Sequence, residues 1–256
     1  MADVRAVVLA AGRGVRMGGL RPKSLLPVGG AEPLMHYILR GLEAAGIDDL
    51  MVVTGFEGKE LEDYVTEHKG AMNATFVFNA RYASWGNFHS LRVALDASPG
   101  MDILAVNCDI VVVPEVFSRV LGTDGDLVLA VERRLTLDDE DMRVRLERDR
   151  VLGIGKDLKR AHGHGEFCGV SLLRTPAARA YLDAATDLEW ASDTDAYYED
   201  VYARIVAGMN ARAAEVHAGE YAEVDRPEDV DAAQAVIDRH RDAWSTTAPA
   251  SAQVGG

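Results

Sequence analysis

A short apolar run, Val4 to Leu9, leads directly into a glycine-rich segment, Ala10 to Gly19. A run of this length, rich in Val and Leu, reads as a strand buried on both faces, and such a strand needs covering layers on both sides of its sheet. The same rhythm continues downstream. Residues 33–45 have helical spacing and stop at Gly46, which suits the left-handed residue that follows a helix. Strands are predicted over 50–54, 74–78, 102–106 and 127–132. Helices are predicted over 58–68, 87–97 and 114–121, the last opening on Pro114. Strands alternating with helices predict an α/β fold: a doubly wound, mostly parallel sheet with helices on both faces.

Beyond residue 133 the pattern changes. Residues 142–147 and 150–154 read as a hairpin around Arg148 and Asp149, a small inserted β region. A longer strand follows at 166–173, then helices at 175–184 and 195–207, strands at 213–217 and 222–224, and a last helix at 226–241. The organisation expected is one domain over 1–244, with halves at 1–133 and 134–244. The tail 245–256 is built of Ser, Thr, Ala, Pro, Gly, Gln and Val and is expected to be disordered.

The net charge of −14 argues against broad contact with DNA or RNA, whose backbones call for patches of Lys and Arg. It leaves room for a small anionic ligand held by a few local cations. No apolar stretch approaches the length of a spanning helix, so no membrane partner is expected. Asp3 and the short run 6–11 do not resemble a secretory leader, and a cytoplasmic location is expected. Cys108 and Cys168 lie in apolar, strand-like sequence outside any CxxC or Cys/His cluster, which predicts two buried thiols in a reducing compartment. Nothing in the sequence opposes a homodimer.

The loop after the first strand holds the strongest chemical signal. It runs Leu9-Ala10-Ala11-Gly12-Arg13-Gly14-Val15-Arg16-Met17, then Leu20-Arg21-Pro22-Lys23-Ser24-Leu25-Leu26-Pro27-Val28. A buried strand delivers this loop to the carboxyl edge of a parallel sheet, where ligands bind. Gly12 and Gly14 allow backbone N–H groups to approach a phosphate, and Arg13, Arg16 and Lys23 supply cations. A P-loop is excluded because Pro22 precedes Lys23-Ser24, and the dinucleotide fingerprint because its third glycine, Gly18, comes one residue late. The bland alternative is a tight surface turn with solvated cations.

The run LAAGRGVRM…LRPKSLLPV resembles the signature of the NTP-transferase superfamily, and the likeness extends to about Val236. The resemblance implies a Rossmann-like nucleotidyltransferase fold, an NTP-binding first half and an acceptor-binding second half. It implies that the stretch Leu9, Ala10, Ala11, Gly12, Gly14 and Arg16 holds the NTP phosphates, and that Arg13 and Lys23 neutralise the transferring phosphate and the pyrophosphate. Asn79 with Asn87-Phe88-His89-Ser90-Leu91 is similar to the Asn…Asn-x-x-Ser-Leu pattern of the branch of cytidylyltransferases for phosphocholine, inositol phosphate and phosphonates. Asn and Ser can read a pyrimidine edge, although Asn87 could instead cap the helix after it.

Asp109, after the fourth strand, matches the family's Mg²⁺-binding aspartate; its alternative is a helix or turn cap before Pro114. Many members carry a second acid where this chain has Asn107, which is grouped with the NTP side. Tyr221-Ala222-Glu223-Val224-Asp225 resembles the family's Glu-Ile-Asp segment, making Asp225 the second metal ligand or, alternatively, an N-cap. Lys156 resembles the second family lysine, which meets the acceptor's phosphate, unless it is simply solvated. Gly165-Glu166 and the Tyr197-Tyr198-Glu199-Asp200 helix are similar to acceptor-side elements of the same branch. Aromatic faces and acids there suit a cationic head group, and a plain packing face with solvated acids is the alternative.

The reading is a Mg²⁺-dependent nucleotidyltransferase that moves CMP from CTP to a small phosphate or phosphonate acceptor, phosphocholine-like or phosphonate, releasing pyrophosphate. A sugar- or cyclitol-1-phosphate nucleotidyltransferase using another NTP is the near rival. A non-catalytic nucleotide-binding regulatory domain is the rival from another class. Arg13, Lys23, Asp109 and Asp225 together argue against the latter.

Overall fold

The computed structural model describes residues 4–14, 21–28, 30 and 32–244, so Arg16 and the tail 245–256 lie outside the described residues. Among those described, nine strands form one sheet. Its first part is parallel: β1 (Val4–Leu9) lies between β2 (Asp49–Thr54) and β4 (Asp102–Asn107), and β3 (Asn73–Phe78) pairs with β2 at the edge. In β1, alternate side chains enter opposite layers. Ala6 and Val8 pack with α1 (Leu34–Ala44), α2 (Gly58–His68), α4 (Pro114–Gly122) and α7 (Val230–Arg239). Val7 and Leu9 pack with α3 (Phe88–Asp96), α5 (Thr175–Trp190) and α6 (Tyr198–Ile205). The two-sided core is the expected doubly wound architecture. α1 ends at Ala44 with Ala45 as its C-cap, and Gly46 takes the left-handed conformation at φ 77°.

The sheet is not parallel throughout. β9 (Gly165–Leu173) is antiparallel and wedged between β4 and β6 (Leu127–Arg133). All nine of its residues are buried, so its apolar run is a central strand rather than an edge. β10 (Ala211–Val216) then runs parallel to β6. The expected hairpin forms from β7 (Arg143–Glu147) and β8 (Arg150–Gly155), with Arg148 at φ 57° in its turn. β7 also pairs with the start of β9, through Arg143 opposite Glu166 and Val144 opposite Gly165.

Several boundaries differ from expectation. The helix predicted over 175–184 continues to Trp190, because Ala185 and Leu188 extend the stripe begun by Ala177 and Tyr181. The helix predicted over 195–207 shortens to α6 and a 3₁₀ turn at Val206–Gly208. The last helix shortens to α7, with 3₁₀ turns at Pro227–Asp229 and Arg241–Trp244. A small pair of antiparallel strands, β5 (Ile110–Val112) and β11 (Tyr221–Glu223), joins distant parts of the chain; β5 was not expected. Cys108 corrects a further expectation. It sits half-buried in the turn between β4 and β5, whereas Cys168 is buried in β9, and both are free thiols. No described helix is long and apolar enough to cross a membrane.

The contact between α1 and α4 depends on Gly41. A Cβ built there would lie 2.7 Å from Cε2 of the fully buried Phe117. Gly41→Ala should therefore destabilise the fold by about 1–3 kcal/mol, and adding Phe117→Leu should recover part of that loss. Urea unfolding of the single and double variants checks this; a strictly additive double variant would mean that the two positions do not clash.

Candidate active site

The glycine loop leaves β1 under tight backbone control. Ala10 N–H donates to Val53 O at 3.0 Å, and Phe56 N–H donates to Ala11 O at 3.1 Å. Gly12 faces open space. Gly14 has φ 57°, and a Cβ there would lie 2.9 Å from Cβ of Lys23. That close approach seats the loop on the 3₁₀ turn Lys23–Leu25, which starts after Pro22. Lys23 is thereby almost buried and directed inward.

Its ammonium bridges two acids. Lys23 Nζ donates to Asp109 Oδ2 at 3.0 Å and to Asp225 Oδ1. Burial alone would lower the lysine's pKa, but Asp109 and Asp225 outweigh it and hold the group well above its ordinary range. The β5–β11 pair brings the acids together: Glu223 registers with Ile110, and Val224 N–H donates to Asp109 O at 2.8 Å. Asp109, Glu223 and Asp225 each offer an oxygen within 4.8 Å of the others. Glu223 was not among the assigned ligands. Its signal was the spacing to Asp225, since alternate residues of an extended segment share one face.

These residues fit a hard divalent cation such as Mg²⁺. The donors are all carboxylate oxygens. Asp109 Oδ1 is buried without a hydrogen-bond partner among the described residues. Among the described residues, these three carboxylates gather around the ammonium of Lys23. The crowding is visible at Glu223, whose carboxyl is pushed up to about 8 by loss of water around it and by Asp109 and Asp225. The 3₁₀ turn after Asp225 is capped by Asp229, whose Oδ2 accepts from Asp225 N–H and Arg226 N–H, and the residue preceding α4 is Val113 rather than Asp109.

Two clefts meet at this cluster and share Asn87, Asn107, Asp109 and Asp225. The first, about 320 Å³, is lined by Leu9, Ala11, Gly12, Gly14, Lys23 and Ser90 besides the shared residues. Ala10 lies buried behind its wall. Asn79 is also buried, donating from Nδ2 to Ser90 Oγ at 2.9 Å and accepting from Arg81 N–H, so it orients Ser90 from behind. Arg13 is exposed, with its guanidinium 5.2 Å from the centre of the Phe56 ring.

The second cleft, about 550 Å³, takes in Lys156, Glu166, Tyr197 and Glu199. Lys156 Nζ lies 3.4 Å from Glu140 Oε2. Glu166 pairs with Arg134, a partner that carried no signal in the sequence, yet burial still pushes its carboxyl up to about 7. Tyr198 and Asp200 are not on the cleft wall. Tyr198 is buried and donates its hydroxyl to Asn107 Oδ1 at 2.8 Å, while Asp200 Oδ2 accepts from Tyr197 N–H at 2.7 Å and caps α6. Asn107 is pressed from the other side by Gly169, at φ 73°.

A match to the MobA-like NTP transferase domain spans residues 6–135, half of the chain. The chain belongs to the MobA-like NTP transferase family. The matched half of the chain contains the glycine loop, Lys23, Asn87 and Asp109; Asp225 and most of the second cleft lie beyond it. The chain is 31% identical over 233 residues to a bifunctional IPC transferase and DIPP synthase of Rubrobacter xylanophilus, covering 89% of this chain and 50% of the relative. It is 29% identical over 238 residues to a CMP-5'-(3-aminopropyl)phosphonate synthase of Streptomyces rubellomurinus, covering 88% and 37%. It thus spans half or less of the length of these curated relatives. Its fold is that of the CTP:phosphocholine cytidylyltransferase from Streptococcus pneumoniae (TM-score 0.73, 22% identity, 92% of this chain and 99% of that one). The inositol-1-phosphate CTP transferase from T. maritima shares it too (TM-score 0.75, 18% identity, 93% and 97%).

Asn87 ties the walls of the two clefts together. Its Oδ1 accepts from Tyr198 N–H at 2.9 Å rather than capping α3, which fixes α6 against the start of α3. Beside it, Gly86 packs on the Ala196 backbone too closely to admit a side chain. Asn87→Ala should cost about 1 kcal/mol and increase hydrogen exchange at the Tyr198 amide. Unchanged exchange there would show that α6 is anchored by other contacts.

Proposed function

We propose that this chain transfers CMP from CTP to a small phosphate or phosphonate acceptor and releases pyrophosphate. The observation that carries the reading is the meeting of the two clefts at Asp109 and Asp225. A donor and an acceptor bound on either side of that junction are held for direct reaction, which removes much of the entropic barrier. One curated and two solved relatives act, by their names, on CTP or form a CMP product, with phosphocholine, inositol 1-phosphate or an aminopropylphosphonate. On this reading residues 1–133 chiefly bind the NTP and 134–244 the acceptor.

The first cleft receives the nucleotide. Backbone N–H groups of the loop from Leu9 to Gly14 meet the phosphates, with Lys23 and Arg13 supplying positive charge. Ser90, oriented by Asn79, and the free side of the Asn87 amide read the cytosine edge. Lys156 meets the phosphate or phosphonate of the acceptor. An acceptor oxygen attacks the α-phosphorus of CTP; the new P–O bond forms as the bond to the bridging oxygen breaks, and pyrophosphate leaves with that electron pair. The attacking oxygen is already anionic, so no general base is needed. Mg²⁺ held by Asp109 and Asp225, with Glu223 beside them, would stabilise negative charge on the reacting phosphates. Lys23 adds charge compensation from the glycine-loop side.

A matrix of the four NTPs against phosphocholine, inositol 1-phosphate, alkyl- and aminoalkylphosphonates and glucose 1-phosphate, read as pyrophosphate release, tests the reading. CTP should be preferred, because a pocket that hydrogen-bonds an exocyclic amine rejects bases lacking it. Turnover of glucose 1-phosphate with UTP or dTTP, and none with CTP, would move the chain to sugar-nucleotide synthesis.

Asp109→Ala and Asp225→Ala should each lower turnover by at least ~10²-fold and abolish its dependence on Mg²⁺ concentration. Near-normal activity in Asp109→Ala would remove the acid cluster from the chemistry. Lys23→Ala should lower kcat and weaken CTP, whereas Lys156→Ala should chiefly raise the KM of the acceptor. An increase confined to the KM of CTP in both variants would contradict the division between the clefts.

A further inference from the structure

The wall shared by the two clefts holds two aspartates, Asp109 and Asp225, and two neutral amides, Asn87 and Asn107. Both amides are tied to a single residue behind that wall. Tyr198 is 1% exposed and lines neither cleft. Its backbone N–H donates to Asn87 Oδ1 at 2.9 Å, and its hydroxyl donates to Asn107 Oδ1 at 2.8 Å. An asparagine amide carries its acceptor at one end and its two hydrogens at the other. With Oδ1 engaged from the core, Nδ2 is the end left for a ligand. Among the described residues neither Nδ2 meets an acceptor.

The orientation of Asn107 is held from both sides. Burial keeps the Tyr198 hydroxyl well above the ordinary phenol range, so it retains the hydrogen it donates. Glu199 touches the same hydroxyl, and its carboxyl, pushed up to about 7 by burial, can in its protonated form donate to the phenol oxygen while the phenol donates to Asn107. Gly169 of β9 closes the other side: a Cβ there would lie 3.0 Å from Asn107 Nδ2. The amide is thus clamped between β9 and α6 and has little room to turn.

The ligand atoms expected at the shared wall are phosphate or phosphonate oxygens, which only accept hydrogen bonds. A carboxylate at position 107 would repel them, whereas a fixed N–H attracts them without adding charge. We propose that Asn107 is a further catalytic residue, donating from Nδ2 to a non-bridging oxygen of the phosphoryl group being transferred, and that Tyr198 is the positioning residue that turns its amide to do so. The inference rests on the transfer reading for the identity of that group; its own evidence is the direction of the amide. No proton changes hands. The donor offsets negative charge on the oxygen while the α-phosphorus exchanges one bridging oxygen for another.

The test compares the full-length wild-type chain with Asn107→Ala, Tyr198→Phe and the double variant, using CTP and an acceptor that releases pyrophosphate. Each single change should lower kcat by about 10–100-fold, with the KM of the acceptor altered less than ~3-fold. The double variant should be no slower than Asn107→Ala alone, because Tyr198 acts through Asn107. Losses that multiply, as from a tyrosine needed only for packing, or a wild-type kcat in either single variant, would overturn the proposal. The side-chain amide resonance of Asn107, assigned by its loss in Asn107→Ala, gives a readout independent of turnover. Titration with CMP, which carries the phosphoryl group, should shift that signal in the wild type and shift it less in Tyr198→Phe. A signal that CMP leaves unmoved in the wild type refutes the proposal, whether or not Tyr198→Phe folds. If no acceptor releases pyrophosphate, the transfer reading fails, and the CMP titration alone decides the inference.

Discussion

The site depends on one contact, the bridge from Lys23 to Asp109 and Asp225. It joins three segments that are remote in sequence: the exit of the glycine loop, the turn after β4 and the segment after β11. Each is held there by backbone rather than by the ion pair alone. Gly14 brings the loop against Lys23, and the β5–β11 pairing carries Asp225 and Glu223 to Asp109. A pair this shielded from water is weakly stabilising at best, since desolvation offsets much of its Coulomb energy, and it makes better sense as a fixed arrangement of charge. Three carboxylates gather there, and Asp109 Oδ1 is buried without a hydrogen-bond partner among the described residues, a donor set that suits a divalent cation.

The two clefts follow from the same framework. β9 enters antiparallel between β4 and β6, so the second half of the chain shares one sheet with the first instead of forming a separate body. Gly169 in β9 lies against Asn107 at the end of β4, and Tyr198 reaches Asn107 from α6. Asn87 takes the N–H of Tyr198 from the opposite side. The junction is therefore built from short polar links between elements that the sheet and helices already position, and the two clefts face each other across shared residues. Reactions that gain rate from orientation need this kind of rigid placement.

Much of this was legible in the sequence where signals are local. The strands and helices from β1 to α4, β5 excepted, follow from apolar periodicity, and Gly46 from helix-ending geometry. The glycine loop, Lys23, Asp109 and Asp225 were readable as a pattern, and they meet. Long-range pairing was not readable. β5 and β11 are three residues each, too short to show a period, and they define the acid cluster. The run in β9 announced burial without its direction, because a fully apolar strand looks alike in either orientation. Side-chain direction was also hidden: Asn79 supports Ser90 from behind, Tyr198 belongs to the core, and Asp200 caps a helix, although all three belong to motifs that read as binding residues.

The central claim is that CTP and a divalent ion meet at Asp109 and Asp225. Crystals soaked with Mn²⁺ and a non-hydrolysable CTP analogue, examined by anomalous scattering, test it most directly. The account predicts a manganese peak bonded to both aspartates and to a phosphate oxygen of the nucleotide, with the Lys23 ammonium turned toward the phosphates. A nucleotide seated in the first cleft with Lys23 still bridging Asp109 and Asp225, and the manganese peak elsewhere, would contradict it.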